Sequence, residues 1–210
     1  MVRLRRLCYP LVLCAPTTIV AQEAPSRFEL TPFAGYRIGG ELATADASPP
    51  SEIADSRSAG LIFDVRQHAD TQWEIYYGHE ETRLESARAF APARGLALDV
   101  DSLQFGGTYQ FDAGNARPFV VMTVGMTRFA PVRSELGAES YFSASIGGGI
   151  QLRPDRPVGI RLDAHVHATL LNSSGGIFCA SVNGAGVCAI HVEGSALYQW
   201  EARAGVVFRF

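Results

Sequence analysis

The sequence predicts an all-β fold, with eight antiparallel strands in up-and-down order closed into a barrel. The clearest of the three observations behind this reading is the final segment, 198–210. There Tyr198, Trp200, Ala202, Ala204, Val206, Phe208 and Phe210 alternate with Gln199, Glu201, Arg203, Gly205, Val207 and Arg209. Successive side chains of a strand point to opposite faces, so this segment has one apolar wall and one polar wall. Second, the same two-residue period recurs in seven earlier segments. Third, the connections between segments alternate short and long without a miss.

Taken in order, segment 28–39 places Phe28, Leu30, Pro32, Ala34, Tyr36 and Ile38 on one face and Glu29, Thr31, Gly35 and Arg37 on the other. Segment 58–67 sets Ala59, Leu61, Phe63 and Val65 against Gly60, Asp64 and Arg66. Segment 71–83 sets Trp73, Ile75, Tyr77 and His79 against Gln72, Glu74, Gly78 and Glu80. In 99–111 the faces are Leu103, Phe105, Tyr109 and Phe111 against Ser102, Gln104, Thr108 and Gln110. Segment 117–129 is apolar on both sides in part, with Val120, Met122, Val124 and Met126 opposing Thr123, Gly125 and Thr127. Segment 139–153 opposes Phe142, Ala144, Ile146, Ile150 and Leu152 to Ser143, Ser145, Gly147, Gly149 and Gln151. Segment 157–171 opposes Val158, Ile160, Leu162, Ala164, Val166, Ala168 and Leu170 to Arg161, Asp163, His165, His167 and Thr169.

The connections 67–71, 111–117 and 153–157 are short and rich in turn residues, whereas 40–57, 84–98, 130–138 and 172–196 are long. Barrels that cross a membrane show this asymmetry, with short periplasmic turns and long extracellular loops. It places both chain ends on the periplasmic side. A soluble barrel of the lipocalin kind also has eight strands but turns its apolar face inward. Here the polar face is rich in Gly, Ser and Thr, which suits a narrow interior better than a solvated surface. The apolar face carries aromatics towards strand ends, at Trp73, Phe111, Phe142, Trp200 and Phe208. The expected fold is therefore an eight-stranded antiparallel up-and-down transmembrane β-barrel.

Composition agrees. The chain has 210 residues, a formal net charge of −3, and 18 basic residues, all arginine, so nothing points to a nucleic-acid partner. No apolar run reaches the ~18 residues of a membrane helix; without one, only a closed barrel can span a bilayer. The N-terminus reads as a secretory signal. Arg3, Arg5 and Arg6 precede a mostly apolar stretch, 7–20, with cleavage expected after Ala21 and Ala24 as the alternative. This divides the chain into a signal peptide, 1–21, and a barrel domain, 22–210. Cys179 and Cys188 form a closely spaced pair in an exported chain and are expected to make a disulfide.

Charges on the expected inner wall come in both signs. A lumen network is predicted from Glu29, Arg37, Asp64, Arg66, Glu74, Glu80, Arg161, Asp163, His165, His167, Glu201 and Arg203, with Arg153 and Arg209 also facing inward. Eight strands leave room for packed side chains rather than a wide channel. Unpaired buried charges cost several kcal/mol, so the network should act as a salt-bridged plug. Asp163, His165 and His167 point the same way along one strand. His-x-His spacing can hold a transition metal, but a hydrogen-bonded lumen network is the plainer expectation, and no metal or cofactor is predicted.

In its alternation, its turn asymmetry and its terminal strand, segment 25–210 resembles the small OmpA/OmpX-like outer-membrane barrels of bacteria. The resemblance implies that Tyr198, Trp200, Phe208 and the terminal Phe210 form a signal read by the barrel-assembly machinery during insertion. It implies a monomer in outer-membrane lipid, with a structural or surface-interaction role through its outer loops and an unspecified ligand. Some related barrels modify lipid A with a His-x-Ser-Asn motif on the lipid-facing wall. The nearest match here, His167-Ala-Thr169, lacks the Ser and Asn and should face inward, so no enzyme is expected. A small conduit for apolar molecules is the remaining alternative.

Overall fold

Strands pair edge to edge around a closed ring in the computed structural model, which describes residues 26–42, 51–85, 95–111, 114–133, 136–171, 175–182, 185–192 and 196–210. In chain order they are β1 (Phe28–Ile38), β2 (Gly40–Leu42), β3 (Ser51–Ile53), β4 (Ser56–Arg66), β5 (Thr71–Leu84) and β6 (Leu96–Gln110). There follow β7 (Ala116–Pro131), β8 (Glu139–Leu152), β9 (Val158–Leu170), β10 (Gly175–Val182), β11 (Ala185–Val192) and β12 (Ala196–Arg209). Eight of these are staves, running β1, β4, β5, β6, β7, β8, β9, β12 and back to β1, all antiparallel. The expected all-β barrel is thus the observed fold.

The ring closes where the described chain begins and ends. Phe28 and Phe210 exchange backbone N–H···O bonds of 3.0 Å in both directions, and their rings lie 6.1 Å apart. Closure leaves no unpaired stave edge, the hazard of open sheets. The predicted signal segment, 1–21, lies outside the described residues.

The stave bounds follow the sequence pattern closely. Ser56 and Leu96 open β4 and β6 slightly earlier than the alternation suggests. The larger difference is in two long connections. Segment 40–57 contains the β2–β3 ribbon, which adds to the sheet through Ile53 opposite Leu84, and segment 172–196 contains the β10–β11 hairpin.

Along β5, β6, β7 and β8 the polarity of the two faces inverts part-way, whereas on β1, β9 and β12 the outward face stays apolar to the long-loop end, at Ile38, Leu170 and Tyr198. In β6, Leu103, Phe105 and Tyr109 face outward and are exposed, while Ser102, Gln104 and Thr108 are buried inside. Towards the long-loop end the same outward face continues as Asp101 and Asp99, and the inward face as Val100, Leu98 and Leu96. The phase of the strand is unbroken; only the residue types swap. The neighbours do the same. Outward Trp73, Ile75 and Tyr77 give way to His79, Glu81 and Arg83 on β5, Met126 to Arg128 on β7, and Phe142 to Ser140 on β8.

The barrel therefore has two storeys. The lower one has an apolar exterior and a polar interior. The upper one has an apolar core, in which Ile53, Leu84, Leu98, Phe129, Tyr141 and Leu197 pack together, and a polar exterior on the β5–β8 side. An apolar core with a polar outside is what water selects, because burial of apolar area drives packing at ~25 cal/mol per Å².

Candidate functional site

The lower interior is filled by side chains arranged in levels. At the short-turn rim, Glu29 accepts hydrogen bonds from Arg209 Nε at 3.1 Å, Gln72 Nε2 at 3.1 Å and Gln151 Nε2 at 3.2 Å, with Arg66 at 3.6 Å. One level up, Arg161 uses its whole guanidinium. It donates to Asp163 through Nε at 2.7 Å, to Asp64 through Nη1 at 3.3 Å and to Glu74 through Nη2 at 2.8 Å. Its flat face lies 4.4 Å from the centre of the Phe119 ring. Arg203 grips Asp163 by a fork of 2.7 and 3.2 Å, the two-point geometry that suits guanidinium and carboxylate. Its guanidinium also lies 5.0 and 4.9 Å from the ring centres of Phe33 and Tyr76, which stack on each other at 5.7 Å, and it meets His165 Nε2.

Above this, Arg37 bridges Glu80 at 2.9 Å and Glu201 at 3.4 Å and donates to Tyr76 Oη at 3.1 Å. Glu201 also accepts from Tyr76 Oη at 3.3 Å and pairs with His167 Nε2 at 2.9 Å. Ser56 caps Glu80 from the upper side. Apart from Arg117 at the rim of β7, which donates to Gln110 Oε1 at 3.5 Å, charge is confined to β1, β4, β5, β9 and β12. The facing walls of β6, β7 and β8 supply neutral groups instead: Thr123 Oγ1 donates to Gln104 Oε1 at 2.7 Å, Gln104 Nε2 to Ser143 Oγ at 3.0 Å, and Ser102 Oγ lies 3.0 Å from Thr127 Oγ1.

Small inward residues make room for these large ones. A Cβ on Gly147 would come within 2.6 Å of the His165 ring, and one on Gly60 within 2.6 Å of the Phe33 ring. The consequence is close packing. Asp64 and Glu74 are 0% accessible and Arg161 and Tyr76 1%.

All twelve residues predicted for the lumen lie on the inner wall and meet in the contacts above, Arg66 being half-buried at the rim. Arg209 is also inside. Arg153 is a correction: it is exposed in the turn between β8 and β9, with φ 56°, because the strand ends at Leu152 and the alternation no longer applies. His165 and His167 stack at 5.9 Å, yet one faces Arg203 and the other Glu201, so the two imidazoles serve separate partners. Tyr198, Trp200, Phe208 and Phe210 lie exposed along the outer wall of β12. Cys179 and Cys188 stand opposite one another in the β10–β11 register.

The sequence reading missed the aromatic part of the interior. Phe33, Tyr76 and Phe119 occupy inward positions by simple parity, on the same wall as the predicted Gln72, Gln151 and Gln199. It missed the upper apolar core as well. The signal was present in 96–100, where Leu96, Leu98 and Val100 alternate with Ala97 and Asp99 in the opposite sense to the rest of the stave.

Solved structures share this architecture. Neisserial surface protein A is 12% identical with a TM-score of 0.58, over 87% of this chain and 97% of that one. The outer-membrane protein AlkL, solved in lipid bilayers, is 10% identical with a TM-score of 0.58 over 98% and 97%. The outer-membrane protein OprG from Pseudomonas aeruginosa is 10% identical with a TM-score of 0.55 over 88% and 96%. No protein-family model matches the sequence, and neither does any curated protein. At these identities the likeness defines the fold: a small eight-stranded barrel of the outer-membrane type.

Proposed function

We propose that the chain is a non-enzymatic barrel of a bacterial outer membrane, acting as a monomer through a structural or surface-interaction role of its long loops. The inverted polarity of the lower storey supports this best. Water cannot favour a wall of exposed Leu103, Phe105, Met122 and Met126 around a core of buried Asp64, Glu74 and Arg161, whereas a bilayer can. Both ends of the barrel domain lie at the short-turn rim, which we assign to the periplasm. The segment 1–21 then serves as the export signal, and Tyr198, Trp200, Phe208 and Phe210 as the strand read by the barrel-assembly machinery. Outer-membrane fractionation with heat-modifiable gel mobility tests the reading; recovery as a soluble periplasmic protein would overturn it.

The filled lower interior supports a plug rather than a pore. Planar-bilayer recordings should show no steady conductance. Enzymatic lipid modification is disfavoured because His167 and Thr169 are both buried inside, away from the lipid-facing wall, with His167 held by Glu201. Unaltered lipid A on overexpression, read by mass spectrometry, is the matching outcome.

We further assign a disulfide to Cys179 and Cys188. Directly opposed residues of an antiparallel pair have Cα atoms ~4.5–5.5 Å apart, within the ~4.4–6.8 Å Cα separation of a cystine. Alkylation before and after reduction reads this directly, and uptake of alkylating reagent without reductant would exclude the bond.

A second reading, entry of small apolar molecules from outside, requires the packed apolar core of the upper storey at Leu84, Leu96, Leu98 and Phe129 to part. Because the charged levels block the axis below, such a molecule would have to leave sideways through the wall. Uptake assays with an apolar dye in vesicles distinguish the two readings.

A further inference from the structure

The short-turn rim is basic. Arg27, Arg66, Arg117, Arg153, Arg156 and Arg209 stand there against Glu29, Asp70 and Asp155 among the described residues. Several are already engaged: Arg66 and Arg209 with Glu29, and Arg117 with Asp155 at 3.6 Å. Arg153 and Arg156 are different. Both are exposed, and neither side chain has an ion-pair partner among the described residues.

These two arginines flank the turn between β8 and β9, and that turn is held from behind. Arg156 N–H donates to the Arg153 carbonyl at 3.2 Å, and Arg153 N–H to the Asn115 carbonyl at 3.1 Å. Arg209 Nη1 donates to the carbonyls of Arg153 at 3.2 Å and Arg156 at 3.0 Å. With its carbonyls tied to Arg209, the turn walls an open hollow of about 1040 Å³, bordered by Asn115, Arg153, Asp155, Arg156 and Val158. Arg153 is the one non-glycine residue with positive φ among the described residues. Glycine adopts that conformation with far less strain. An arginine in its place calls for a reason in the side chain.

The hollow opens at the edge of the apolar belt. Val158 borders it, and outward Val158 and Ile160 continue down the lipid-facing wall. We propose that the hollow binds the phosphate of an anionic phospholipid. The guanidinium groups of Arg153 and Arg156 take the headgroup, and the acyl chains lie along Val158 and Ile160. Guanidinium matches phosphate by paired, charge-assisted hydrogen bonds. At the opposite rim Arg57, Arg83, Arg128 and Arg133 stand among Asp55, Glu81, Glu85, Asp99, Asp101 and Glu139, so its described part carries more acid than base. The inference rests on the membrane reading above.

The test is native mass spectrometry of the folded barrel, released from micelles containing phosphatidylglycerol or phosphatidylcholine of the same chain length. The wild type should retain phosphatidylglycerol in preference. Arg153→Gly and Arg156→Gln should each lower that retention about five-fold, the effect of one arginine at an anionic surface. Arg27→Gln, on the same rim but away from the hollow, should leave it unchanged. Equal loss from Arg27→Gln would mean diffuse rim charge and would overturn the site. Displacement of the lipid by millimolar inorganic phosphate would make free phosphate the ligand and overturn the lipid assignment. Heat-modifiable mobility checks folding of each variant. A chain that never inserts defeats the membrane reading, whereas an inserted barrel with no preference for phosphatidylglycerol defeats this proposal alone.

Discussion

Arg161 on β9 and Glu74 on β5 stand on opposite walls of the ring, and their side chains meet at 2.8 Å. The contact crosses the interior and is a strut rather than a local pair. The same guanidinium reaches Asp64 and Asp163, so three carboxylates share one cation.

Arg161→Leu should therefore be among the most damaging single changes in the lower storey. It strands Asp64 and Glu74 in a sealed space, and breaking a buried ion pair by removing one partner costs about 3–5 kcal/mol. Urea unfolding in lipid vesicles, followed by tryptophan fluorescence, measures the loss. A change under ~1 kcal/mol would show that the strut contributes little.

Gly147→Val should destabilise by about 1–3 kcal/mol, because the added side chain enters space held by the His165 ring and the Ala164 carbonyl. Gly137, which has open space at the Cβ position, serves as the comparison: Gly137→Ala should be close to neutral in the same assay.

Arg153→Gly should move the other way. Replacing a non-glycine residue at φ 56° by glycine relieves strain of about 1 kcal/mol. A higher unfolding midpoint in urea is the expected outcome, and a lower one would mean that the arginine makes a stabilising contact at the rim.

Phe129→Ala tests the upper storey. The ring packs 6.1 Å from Tyr141 in the apolar core, and truncating a buried Phe costs about 3–5 kcal/mol. If the two storeys are separately held, hydrogen exchange should quicken at Leu98 and Val100 while amides near Arg161 stay protected. Uniform loss of protection would show a single cooperative unit.

The eight staves could be read from residue types because one rule, alternation, governs each of them over many positions. Direction could be read as well, since 67–71, 111–117 and 153–157 are too short for anything but a turn. What escaped has identifiable causes. The β10–β11 hairpin lies in a stretch of Gly, Ser and Asn that carries the composition of a loop, and nothing periodic marks its two strands, although Cys179 and Cys188 can be paired from their spacing. Phe33, Tyr76 and Phe119 are apolar residues at positions of the polar wall, so residue type alone gives them no face; parity turns them inward, where they serve as platforms for arginine. Arg153 was placed in the lumen by carrying alternation one residue past the end of a strand. For the lumen charges, the sequence could supply which residues face inward. It could not supply which of them meet, because that depends on how staves far apart in the chain face each other across the ring.

The swap of polarity near Asp101 also sets a height. From Asp101 to Leu96 the stave continues for about five residues, which at ~3.3 Å per residue and a tilt near 40° raises its top by on the order of 13 Å. In the bilayer placement proposed above, the loops on the β5–β8 side are carried on a pedestal clear of the lipid headgroups. A large, rigid partner could then reach them from the side as well as from above, without touching the membrane. Shortening the pedestal by matched two-residue deletions in every stave would keep the inside-outside phase and lower the loops, turning reach itself into an adjustable property.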